Sequence, residues 1–125
     1  MAASRAPLRL VDPATGRVLA ERLQVPSNFL TRGVGLMGRR DLPAGEAMWI
    51  APCNGIHMFF MRFALDLIFL DRAQRVVRVY SQLRPWRVVP LVRGAHSVVE
   101  LPAGATEGAD LSRGRQLAIE PDPAG

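Results

Sequence analysis

Cys53 is the only cysteine among 125 residues and stands four positions before His57, one of two histidines. The run that follows adds Met58, Met61, Arg62 and Asp66. Two chemistries use such residues. A thiolate beside an imidazole base is a nucleophile, so Cys53 with His57 or His96, oriented by Asp66 or Glu100, is the candidate catalytic set of a thiol-dependent enzyme. Sulfur and imidazole donors also hold copper(I) or zinc. Spacing weighs against a metal: along an extended strand, four residues at about 3.3 Å each hold Cys53 and His57 roughly 13 Å apart. No C-x-x-C or H-E-x-x-H pattern, Gly-rich phosphate loop or G-x-S-x-G elbow occurs. Neither a metal nor another cofactor is expected.

Arg62 and Asp66 lie among Phe59, Phe60, Phe63, Leu65 and Leu67. Buried alone, either charge would be costly, so a structural ion pair between them is expected. Alternatively, Arg62 at the mouth of an apolar cleft would hold a carboxylate-bearing ligand.

The elements that position these residues read as short strands. Gly, Pro, Asp and Asn punctuate the chain, and the segments between are often β-branched, which points to a mainly β sandwich or barrel-like fold of about eight strands. Residues 8–11 and 17–25 flank the turn sequence Asp12-Pro13-Ala14-Thr15-Gly16 and form a hairpin. Ser27 caps a short helix over residues 29–37, and Thr106 caps a single helical turn. Strands follow at residues 47–51, 56–63, 65–70, 76–80, 97–101 and 115–119. Residues 81–94, with Pro85 and Pro90, read as a long loop.

Asn54-Gly55 between apolar runs is a strong hairpin signal, because both central positions of a type I′ turn need positive φ. A turn there pairs Cys53 with Ile56, Trp49 with Phe60 and Met48 with Met61. Cys53 and His57 then point to opposite faces, and both faces are apolar. Such a ribbon must be covered twice: once by the core, and once by another layer, a partner or a ligand. Trp49, Phe60, Arg62, Asp66, Trp86 and Arg87 are the candidate ligand-binding residues on this reading.

Length and charge narrow the alternatives. The chain suits one domain over residues 8–120, with a flexible N-terminus at 1–7 and a frayed, Pro-rich C-terminus at 121–125. The net charge of +5 comes from 16 arginines without lysine, spread from Arg5 to Arg115. Nucleic-acid binding usually gathers charge on one stripe with stacking aromatics. Only Arg84-Pro85-Trp86-Arg87 fits that pattern locally, so nucleic acid is not the expected partner. No uncharged run approaches the ~20 residues needed to cross a bilayer. With no apolar leader and one cysteine, a cytoplasmic protein is expected.

Three ordered motifs carry a family resemblance: residues 32–39 (Arg-Gly-Val-Gly-Leu-Met-Gly-Arg), Met61-Arg62 with Leu65-Asp66-Leu67-Ile68-Phe69-Leu70-Asp71, and Val99-Glu100-Leu101-Pro102-Ala103-Gly104. From about Leu8 to Ile119 the chain resembles the family named domain of unknown function 192. The resemblance implies a compact, mainly β fold and brings no established activity. Val34-Gly35 and Gly114-Arg115 depart from the family's usual pattern. The leading expectation is a non-enzymatic module with an apolar cleft for an unknown small molecule or peptide. The alternatives are the thiol enzyme and an interaction subunit.

Overall fold

Residues 7–25 and 40–123 are described in the computed structural model of the chain. They form nine strands: β1 (Leu8–Asp12), β2 (Arg17–Gln24), β3 (Glu46–Ile50), β4 (Ile56–His57), β5 (Leu65–Leu70), β6 (Val76–Leu83), β7 (Val88–Val89), β8 (Ser97–Pro102) and β9 (Ala118–Pro121). Seven make one sheet in the order β6-β5-β8-β3-β2-β1-β9, and β4 pairs with β7 in a separate sheet. β2 and β3 run parallel, and the other pairs are antiparallel.

The large sheet curls into a half-barrel. Arg75 bridges Gln116, and Val76 N and Leu117 N donate to Arg115 O and Gln74 O at 2.9 and 3.1 Å. These bonds draw the start of β6 toward the segment that leads into β9. The concave face collects Leu10, Ala20, Leu23, Ala47, Ile68, Leu70, Val99 and Leu101 in one apolar cluster. The opposite face of the central strands presents Met48, Ile50, Leu65, Leu67, Phe69 and Val98, and Met58, Met61, Val89 and Val92 from the β4/β7 lobe pack over it. β5 is therefore buried along its whole length, as its nearly continuous apolar sequence demands of a central strand.

The β1–β2 hairpin forms as expected. Gly16 N donates to Asp12 O at 2.8 Å, and Gly16 takes a φ of 78°, the region only glycine enters freely. The Asp12 side chain caps the turn through Ala14 N at 3.0 Å and pairs with Arg115 at 2.8 Å.

Three expectations give way. No helix occurs among the described residues, and the segment from Ala103 to Gly108 is a series of turns. The expected helix at 29–37 lies outside them. The long loop at 81–94 is partly strand, because β6 extends to Leu83 and β7 forms inside it. β9 includes Pro121 and pairs it with Leu8, so Glu120 and Pro121 are held in the sheet.

The hairpin at Asn54-Gly55 does not form. β3 pairs with β8 and β2, and β4 pairs with β7. Gly55 is needed here for room, not for a turn. A Cβ on it would collide with Pro90 O and lie 2.8 Å from Val89 O, so the glycine allows the 86–92 segment to approach its backbone.

Candidate functional site

The β4/β7 lobe is built by backbone bonds between two stretches far apart in sequence. Val92 N donates to Asn54 O, Met58 N to Arg87 O and Trp86 N to Met58 O, each at 2.7 Å. Cys53 N reaches His96 O at 2.8 Å and fastens the lobe to the residue before β8. Met58, Val89 and Val92 point inward into the cluster beneath. What the lobe presents outward is also apolar: Phe59, Phe60 and Trp86 are 40%, 60% and 59% exposed, with Val88 and Leu91 exposed nearby in the chain.

These rings form a connected platform. Phe60 lies 5.0 Å from Trp86 between centroids and Phe59 5.9 Å from Trp86, while His57 lies tilted 5.0 Å from Phe59. Phe60 and Trp86 both hold positive φ, 63° and 69°, a conformation that costs a bulky residue of order 1–3 kcal/mol and clusters at functional positions. Arg62, Arg84 and Arg87 are exposed and flank these aromatics in the sequence. Large exposed rings forgo roughly 1.5–3 kcal/mol of burial each, and three together form an exposed apolar patch.

The remaining predicted residues separate. Trp49 packs against the concave cluster, away from Phe60, and its Nε1 is buried without a hydrogen-bond partner among the described residues. Asp66 does not pair with Arg62. Its carboxylate accepts from Gln82 N at 2.8 Å, Thr106 N at 2.9 Å and Thr106 Oγ1 at 2.6 Å. Burial pushes this carboxyl up, but the bonds from Thr106, Gln82 and Gly104 outweigh it and hold its pKa below the ordinary value. A strand residue held by two backbone amides and a hydroxyl needs no cation, so the expected ion pair gives way to a loop-fastening carboxylate.

Cys53 and His96 are joined through their backbones, whereas the Cys53 Sγ donates to Gly55 O at 2.9 Å. His57 Nδ1 accepts from Phe59 N at 3.3 Å, which orders the turn into the platform. Among the described residues, no group of three or more His, Cys, Asp or Glu side chains gathers as a metal site. No described helix is long and apolar enough to cross a membrane.

Two residues escaped the sequence reading. Phe59 belongs to the platform, and its signal was the doubled Phe59-Phe60 on a segment too short to pair on both sides. Glu100, considered only as an orienting group, is 5% exposed at the centre of β8. Burial raises its pKa to about 7. A carboxylate in the middle of Ser-Val-Val-Glu-Leu-Pro was its signal.

Comparisons with other proteins agree with this architecture. A UPF0127 protein of Pyrococcus furiosus is 30% identical over 113 residues, which span 86% of this chain and 95% of that one. A UPF0127 protein of Pyrococcus abyssi is 36% identical over 88 residues, 66% of this chain and 73% of that one. A crystal structure of a protein of unknown function from Novosphingobium aromaticivorans superposes with a TM-score of 0.73 at 21% identity, covering 90% of this chain and 83% of that chain, and so shares the fold. The DUF192 family model, described as an uncharacterized ACR, matches residues 11–119. Fold, motifs and relatives thus converge, and the chain belongs to the DUF192 family.

Proposed function

We propose that the protein is a non-enzymatic binding module whose platform of Phe59, Phe60 and Trp86 takes an apolar ligand bearing an anionic group, free or as part of a peptide segment. Arg62 and Arg87 hold the anion. The observation that supports this reading is the exposed cluster of tilted, contacting rings held by two residues at positive φ. A purely structural lobe would turn those rings inward. Arginine forks suit carboxylates and planar anions, and their shared charge disfavours docking of a second copy through the same surface. A cytoplasmic setting agrees with the presence of a single cysteine.

The apolar anionic dye 8-anilinonaphthalene-1-sulfonate tests this. The native protein should enhance its fluorescence, Trp86→Ala should abolish the enhancement, and Arg62→Ala should weaken it, with thermal unfolding unchanged in both variants. Undiminished dye binding by Trp86→Ala, or unfolding of both variants at room temperature, would point to a structural role instead. A stable oligomer by light scattering that disperses in Trp86→Ala would favour the interaction-subunit reading.

A further inference from the structure

The β4/β7 lobe covers the convex side of the sheet, and its short ladder sets which side chains leave the core. Ile56 and Val89 pair and turn toward the cluster beneath, whereas the next pair, His57 and Val88, is exposed. Paired residues share a face. His57 lies 5.0 Å from Phe59, and Phe59 lies 5.9 Å from Trp86, so Val88 joins the platform on one outward side. Leu91, 60% exposed, follows shortly in the chain.

Arginine is spread through the sequence, but carboxylates are not. From Arg72 to Arg93 there are six arginines and neither Asp nor Glu, and residues 47–65 hold Arg62 and no carboxylate. Among the described residues no ion pair engages Arg62, Arg84, Arg87 or Arg93, and all four are exposed. Glu21, Glu46 and Asp122 line a hollow elsewhere, beside Gly45. The platform therefore stands in a positive field that no carboxylate of the lobe offsets.

We propose that this face of the lobe docks on a bilayer surface containing anionic phospholipid, an inference that rests on the platform as a binding site and names its occupant. Phe60 and Trp86 enter the interfacial layer, where aromatic rings find an apolar and a wet side together. Arg62, Arg84, Arg87 and Arg93 lay their stems along that layer and meet the headgroup phosphates. Charge complementarity selects this occupant: unpaired arginines beside an apolar patch oppose a second copy of the same basic lobe and gain nothing from a neutral membrane. The positive φ of Phe60 and Trp86 fixes the backbone from which both rings project, so docking has little to order. The contact is superficial, since no described helix is long and apolar enough to cross a bilayer.

Flotation of the full chain with vesicles tests this. Vesicles of equimolar phosphatidylcholine and phosphatidylglycerol should carry the wild type, with a shift of tryptophan emission to shorter wavelength, and vesicles of phosphatidylcholine alone should not. Trp86→Ala should abolish both the flotation and the shift, with Phe60→Ser giving the same comparison should Trp86→Ala unfold. Joint Arg84→Glu and Arg87→Glu should weaken binding at least about tenfold. Absence of the wild type from anionic vesicles, equal binding to neutral ones, or undiminished binding by the ring or the charge variants would each overturn the proposal. Stronger capture of an oligothymidylate than of the anionic vesicles would assign the rings to base stacking and overturn it as well. The dye measurement separates the two failures: a wild type that enhances the dye but leaves vesicles unbound removes the lipid surface and spares the platform, whereas loss of both removes the platform too.

Discussion

The two faces of the curled sheet handle polar groups and large rings in opposite ways. On the concave side the apolar residues close on one another, and Asp66 is bound by backbone donors and by Thr106. On the convex side a small lobe covers the strands while holding Phe59, Phe60 and Trp86 to solvent, and Glu100 on that face is buried with its pKa raised. Burial and hydrogen bonding make the first face a scaffold. The second keeps exposed rings and a buried carboxyl, features that forgo stability in the fold.

The largest effect should come from the scaffold. Asp66→Ala leaves buried donors of Gln82 and Thr106 without an acceptor, and urea unfolding should record a loss of about 4 kcal/mol. Next is the pH dependence attached to Glu100. Folded, this carboxyl holds its proton up to about 7, whereas unfolded it releases it near 4.5. Between those values unfolding releases a proton, so the contribution present below 4.5 is lost as pH rises through 7. Relative to Glu100→Gln, the wild type should lose about 3 kcal/mol across that window, measured by unfolding the two proteins in parallel at several pH values. Equal slopes would merge the two faces in this respect.

A smaller effect is expected at the lobe. Gly55→Ala places a methyl against Pro90 O and Val89 O, and should destabilise the lobe by about 2 kcal/mol. Amide exchange should quicken at Met58 and Val92 while the amides of β5 and β8 keep their protection. Trp86→Ala should change global stability least, within about 0.5 kcal/mol, because the ring is largely exposed. A larger loss on denaturant unfolding would return Trp86 to the scaffold.

The legibility of these two faces in the sequence differed. Strand β5 was readable at its true bounds because an uninterrupted apolar run between punctuated turns leaves little choice of element. The β1–β2 hairpin was readable from its Asp-Pro and Gly turn, whose bonds are local. The lobe was not, because its pairing joins residues 54–58 to 86–92, and local patterns carry no information on contacts so distant. Asn54-Gly55 misled for a physical reason: glycine serves tight turns and close backbone approaches alike, and only the packed partner distinguishes them. The Arg62–Asp66 pairing failed similarly, since backbone amides satisfied the carboxylate and these are invisible in a list of side chains. Trp86, Arg87, Phe60 and Arg62 were legible as candidates by residue type, although not the route by which Phe60 and Trp86 meet.

The opposition between the faces is tested most directly by the unfolding free energy of Glu100→Met at pH 8, set against the wild type without added ligand. A buried ionisable group whose pKa is raised by burial should be replaced by an apolar side chain of similar size with a gain in stability, so the variant is expected to unfold at higher urea than the wild type. A variant that unfolds at lower urea would mean that Glu100 is structural like Asp66, and would contradict the contrast between a face that satisfies its carboxylate and a face that carries a destabilising one.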